Sequence, residues 1–92
     1  MKVRDSVKWF SEKMEKTLQE NDYKGEWDMC DFEYLIDRLN DEVQEINELN
    51  EDERLDCDLS KSLAKKVIHE CTDVANFAMM IADNLRAMAG ER

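Results

Sequence analysis

The chain has no proline and only two glycines, Gly25 and Gly90. All-β folds draw on these residues at every tight turn, so their scarcity makes an all-α chain the expectation. No run of about 18 uncharged apolar residues occurs, which excludes a membrane-spanning helix. The opening MKVRDSVKW has no apolar core of an export signal. A soluble, cytoplasmic protein with no membrane partner is therefore expected. Cysteine is scarce and never spaced as CxxC: Cys30, Cys57 and Cys71 suit neither a disulfide framework nor a structural zinc site, and are read as reduced thiols. Basic residues are outnumbered, 13 Lys and Arg against 23 Asp and Glu. The resulting formal charge of −10 repels a polyanion unless cations intervene, and plain nucleic-acid binding is excluded on that ground.

The apolar residues present are enough to fold. Residues 1–92 read as a single domain, and the apolar share of 42% with helical periodicity distinguishes the chain from a disordered acidic one. So short a chain buries a limited fraction of its surface, and six Met with two Trp leave apolar area over for a second copy. A small antiparallel helical bundle completed by oligomerisation, as a dimer or tetramer, is the expected architecture.

Three helices are expected. In the first, about Val3 to Glu20, Val7, Phe10, Met14 and Leu18 recur at spacings of three and four. NDYKGEWD then reads as a loop, with Asp28 placed to cap the second helix. From about Met29 to Leu49, the residues Phe32, Leu35, Ile36, Leu39, Val43, Ile46 and Leu49 form a broad apolar stripe. Asn50 to Ser60 is expected to be a loop with a fraying helix end. Ser60 can cap a last helix from about Lys61 to Ala89, and Gly90 is a natural residue just past its end. The middle of that helix, VANFAMMIA, is apolar almost all round and needs cover on several sides.

Acid pairs three residues apart recur along the chain, and most describe only a solvated helix face. A helical wheel of about 100° per residue sets two of them apart. Glu42 falls inside the apolar arc of the second helix, with Glu45 at its edge. Glu70 falls inside the arc that Leu63, Val67, Val74, Phe77, Ile81 and Leu85 form on the last helix, with Asp73 flanking it. Burying such charges unpaired is costly by several kcal/mol each. Arg38 can pair with Glu42 or Glu45, and Lys66 with Glu70 or Asp73, which leaves the acids in excess. A hard divalent cation completes the balance, and an all-oxygen donor set suits Mg²⁺ or Mn²⁺ rather than Zn²⁺.

RLNDEVQEINEL followed by HECTDVANFAMMIAD resembles the paired ExxE and ExxD signature of the MazG-like, all-α nucleoside triphosphate pyrophosphatases, the second about two dozen residues after the first. Upstream, YKGEWD is similar to the HKGGW stretch of short members of that family, keeping Lys24, Gly25 and Trp27 while Tyr23 replaces His and Glu26 replaces Gly. The likeness spans roughly residues 9 to 85. It implies that Glu42, Glu45, Glu70 and Asp73 bind Mg²⁺ and form the catalytic site. It also implies hydrolysis of a nucleoside triphosphate to the monophosphate and pyrophosphate, in the manner of nucleotide-pool house-cleaning enzymes. Bound metal would invert the local charge and act as clamp and Lewis acid, with one of the four carboxylates as proton acceptor.

Other residues have both functional and structural readings. Lys24 is a candidate phosphate contact or a solvated lysine; Trp27 a base-stacking residue or a lid on the bundle; Asn76 a sugar or base contact. Trp9 and Phe10 are expected in the core. His69 is placed on the outer side of the last helix with Met80, and the Met79–Met80 pair is expected to pack. The competing function is a non-catalytic helical module that dimerises through the last helix. Such a module would gain from Leu at positions 42 and 70, where this sequence has Glu.

Overall fold

The computed structural model describes residues 1–21, 26–53 and 59–90. The described part is all-α: three helices packed together, α1 (Asp5–Glu20), α2 (Phe32–Glu53) and α3 (Lys61–Met88), with a short 3₁₀ turn, Glu26–Met29, between the first two. Among the described residues, no helix is long and apolar enough to cross a membrane. Lys24 and Cys57 lie outside the described residues.

The helix boundaries follow from local chemistry. Ser60 caps α3 as expected, its Oγ accepting from the Leu63 N–H at 3.1 Å. At the other end Gly90 adopts φ +76°, the left-handed conformation that ends a helix, with open space around its Cα. Asp28 does not cap α2. It lies within the 3₁₀ turn, and it is the Asp31 carbonyl that accepts from Leu35 N–H at 3.1 Å to open the helix. α2 also runs past Leu49 to Glu53, because the acidic stretch beyond Leu49 continues the helix for a further turn.

α3 is the shared partner: α2 packs along much of its length, and α1 packs on α3 rather than on α2. Among the described residues the buried apolar set is small, Leu35 on α2 with Phe77 and Met80 on α3. Leu18, Trp27, Cys30, Leu39, Met79 and Ile81 close around it. Met80 is thus inward-facing, contrary to the expected position beside His69 on the outer side, while His69 is exposed as expected. Within VANFAMMIA the solvent side carries only Ala78 and Ala82, so this helix exposes little apolar area there. Trp9 is not a core residue but stands 47% exposed, with Lys13 Nζ 5.8 Å from its ring centroid. Phe10 is half-buried.

The molecule is open for its mass. Its radius of gyration is 14.9 Å, where about 12 Å describes a compact chain of this length. Its accessible area is 7162 Å², against about 5,600 Å² for a typical monomer of this mass.

Candidate metal centre

The facing sides of α2 and α3 bring together carboxylates far apart in sequence. Glu42 and Glu45 stand one turn apart on α2, and Glu70 approaches from α3; one oxygen from each lies within 4.8 Å of the others. Glu42 is buried, Glu70 half-buried and Glu45 exposed, so the cluster opens to solvent on the Glu45 side. Asp73, a turn beyond Glu70, borders the cluster but is not one of these three; its side chain is 22% exposed.

Local cations answer part of this charge. Arg38 Nη2 donates to Glu42 Oε1 at 3.0 Å, Arg38 Nη1 to Asp41 Oδ2 at 3.3 Å, and the same guanidinium sits 5.4 Å from the Phe77 ring centroid. His69 Nε2 stands 3.6 Å from Asp73 Oδ2. The Lys66 charge favours the ionised form of Glu45. Glu70 remains: its Oε2 is buried with no hydrogen-bond partner. A buried carboxylate oxygen in that state calls for a proton or a cation.

The titration behaviour expresses the same deficit. Burial, then sharing of a proton with Glu45 and Glu42, pushes the Glu70 carboxyl up to about 8. Burial also raises Glu42, against the lowering effect of its contact with Glu70, and burial raises Asp73 against the opposing pull of His69. Glu45 is lowered, chiefly by accepting from Glu70. These groups act as one coupled cluster, which takes up a proton above the usual carboxylate range.

The donor set is all oxygen, and with the orphaned Glu70 Oε2 it is of the kind that a hard divalent cation such as Mg²⁺ or Mn²⁺ would complete. The acids lie on the faces that helical periodicity assigns to them, because α2 and α3 are regular helices with their apolar arcs turned to each other.

The other candidate residues are placed differently. Trp27 packs against the buried core and donates Nε1–H to Asp83 Oδ2 at 2.9 Å. Asn84 Nδ2 donates to the Trp27 carbonyl at 3.0 Å, and Arg86 Nε to Asp83 Oδ1 at 2.7 Å. Asp83 and Asn84 therefore fasten the Trp27 turn to α3, a role no spacing in the sequence signals because the partners are more than fifty residues apart. Asn76 is buried and donates Nδ2 to the Met14 carbonyl at 3.2 Å, tying α3 to α1.

The chain matches no protein-family model, no curated protein and no solved structure.

Proposed function

We propose that the chain is a Mg²⁺-dependent nucleoside triphosphate pyrophosphohydrolase of the MazG-like kind, converting an NTP or dNTP and water to the monophosphate and pyrophosphate. Support comes from the motif pair and from side-chain geometry rather than from overall similarity to known proteins. The observation that carries the reading is the meeting of Glu42, Glu45 and Glu70 from two helices, with one buried oxygen left unanswered. In this reading those three residues, with Asp73 at the margin, hold the metal. When bound, the cation supplies charge neutralisation and Lewis acidity to a triphosphate that a −10 chain would otherwise repel.

The chain's own residues supply position and proton transfer. Arg38 fixes the Glu42 carboxylate in register on the buried side. Glu45 is the exposed member, on the side where the cluster meets solvent. Asp73 has Oδ2 turned to His69 at the margin of the cluster, and one of the four carboxylates serves as proton acceptor for the attacking water. Trp27 is fixed by Asp83 and Asn84, which holds its turn beside α3.

A homo-oligomer is part of the proposal. Phe32, Tyr34, Leu85 and Met88 are each between 46% and 82% exposed, apolar surface that supports a contact with a second copy.

The test resolves the products of NTP and dNTP hydrolysis with Mg²⁺. Glu42→Gln and Glu70→Gln are expected to cut turnover by at least about a hundredfold. Glu48→Gln, an exposed acid at the same spacing, leaves it unchanged. Orthophosphate as the only product, or equal losses in Glu42→Gln and Glu48→Gln, overturns the reading.

A further inference from the structure

The acidic centre occupies the α2 side of α3. Around the same helix, on the α1 side, lies a cleft of about 380 Å³ with the opposite charge. Lys13 and Lys16 line it from α1, Lys65 and His69 from α3, and Thr17 and Thr72 form its polar floor. Both threonines are buried, 6% and 1% exposed, so the floor is part of the packed interior. Among the described residues, Glu20 is the single acid in the lining; it stands 4.0 Å from Lys16 Nζ, at the limit of an ion pair. Ile68 completes the wall.

Concentrating three lysines in one recess is unusual where acids outnumber bases 23 to 13. Like charges brought together repel, and an anion with several oxygens relieves that repulsion while accepting from several donors at once. His69 lines the cleft and stands 3.6 Å from Asp73, so the recess begins where the acidic centre ends. We infer that this cleft is an anion subsite for vicinal phosphates, taking the terminal phosphates of the substrate and then the pyrophosphate released from it. The inference rests on the pyrophosphohydrolase reading for its link to substrate, but the anion site itself does not depend on metal.

Calorimetric titration with inorganic pyrophosphate in EDTA tests it. Wild type binds under these metal-free conditions, and the double variant Lys13→Ala/Lys65→Ala binds at least about tenfold more weakly. Lys8→Ala/Lys61→Ala, which removes the same charge from exposed sites outside the cleft, leaves binding unchanged. In steady-state assays the cleft double variant raises the KM for NTP and weakens pyrophosphate product inhibition together. Glu70→Gln separates the two claims: it retains metal-free pyrophosphate binding even if the hydrolase reading fails. No metal-free binding, equal losses in both double variants, or lost pyrophosphate binding with an unchanged KM overturns the subsite.

Discussion

At the scale of single residues, Glu70 is expected to govern how stability responds to pH and, in the proposed metal centre, to Mg²⁺. Its carboxyl ordinarily titrates near 4.5 and is pushed up to about 8 by burial and by the neighbouring Glu45 and Glu42. Between these values the folded chain holds a proton that the unfolded chain has released, so stability falls as pH rises. The contribution is fully present below the ordinary value and is lost as pH passes through about 8. Metal-free protein is accordingly expected to lose Tm from about pH 5 to about pH 8, with Glu42 and Asp73, both raised, acting in the same direction. In the proposed metal centre millimolar Mg²⁺ would take the place of the proton, so it is expected to raise Tm most at the upper end of that range. Glu70→Gln flattens the pH slope and abolishes the Mg²⁺ shift, while its metal-free Tm at neutral pH holds or rises. Thermal melts in EDTA and in Mg²⁺ at several pH values check this; a Tm indifferent to Mg²⁺ would remove the main support for a metal centre.

At the scale of elements, α3 bears the fold because both other helices pack on it. Its start depends on a single side chain, Ser60, whose hydroxyl accepts from Leu63 N–H. Ser60→Ala is expected to reduce stability by about 1 kcal/mol, the usual value of such a cap. Asp28 lies in the 3₁₀ turn and does not cap α2, so Asp28→Ala should stay within about 0.5 kcal/mol of wild type. Urea denaturation of the two variants side by side reads the difference. Ser60 is legible as a cap because nothing competes for that position at the head of a long periodic helix. Asp28 is not, because Asp31 follows three residues later, and only the backbone trace shows that Asp31 is the acid preceding the first helical residue.

For the whole molecule, the issue is how a chain with three buried apolar side chains among its described residues stays folded. The buried polar and charged residues, Thr17, Glu42, Thr72 and Asn76, outnumber them. Burying apolar area contributes about 25 cal/mol per Å², so the exposed rings of Phe32 and Tyr34 and the side chains of Leu85 and Met88 represent stabilisation a single copy leaves unused. Sedimentation at micromolar concentration is expected to give at least twice the 10.9 kDa chain mass. A clean monomer would contradict the proposed assembly and leave the exposed apolar surface unexplained.

The sequence by itself determined the helical class, the three helices, the cap at Ser60, the stop at Gly90 and the faces on which Glu42 and Glu70 lie. Each is a local property, set by helical periodicity and by the backbone preferences of a few residues. Only the tertiary structure decided that Glu42, Glu45 and Glu70 converge while Asp73 stays at the margin, because that depends on how α2 is placed against α3. It likewise decided that Met80 turns inward and Trp9 outward, since α3 is covered on two sides and α1 on one. The fastening of Trp27 by Asp83 and Asn84, and the gathering of Lys13, Lys16 and Lys65 into one cleft, join residues from distant parts of the chain. Periodicity within one helix carries no information about such meetings, which are set by the packing of one helix on another.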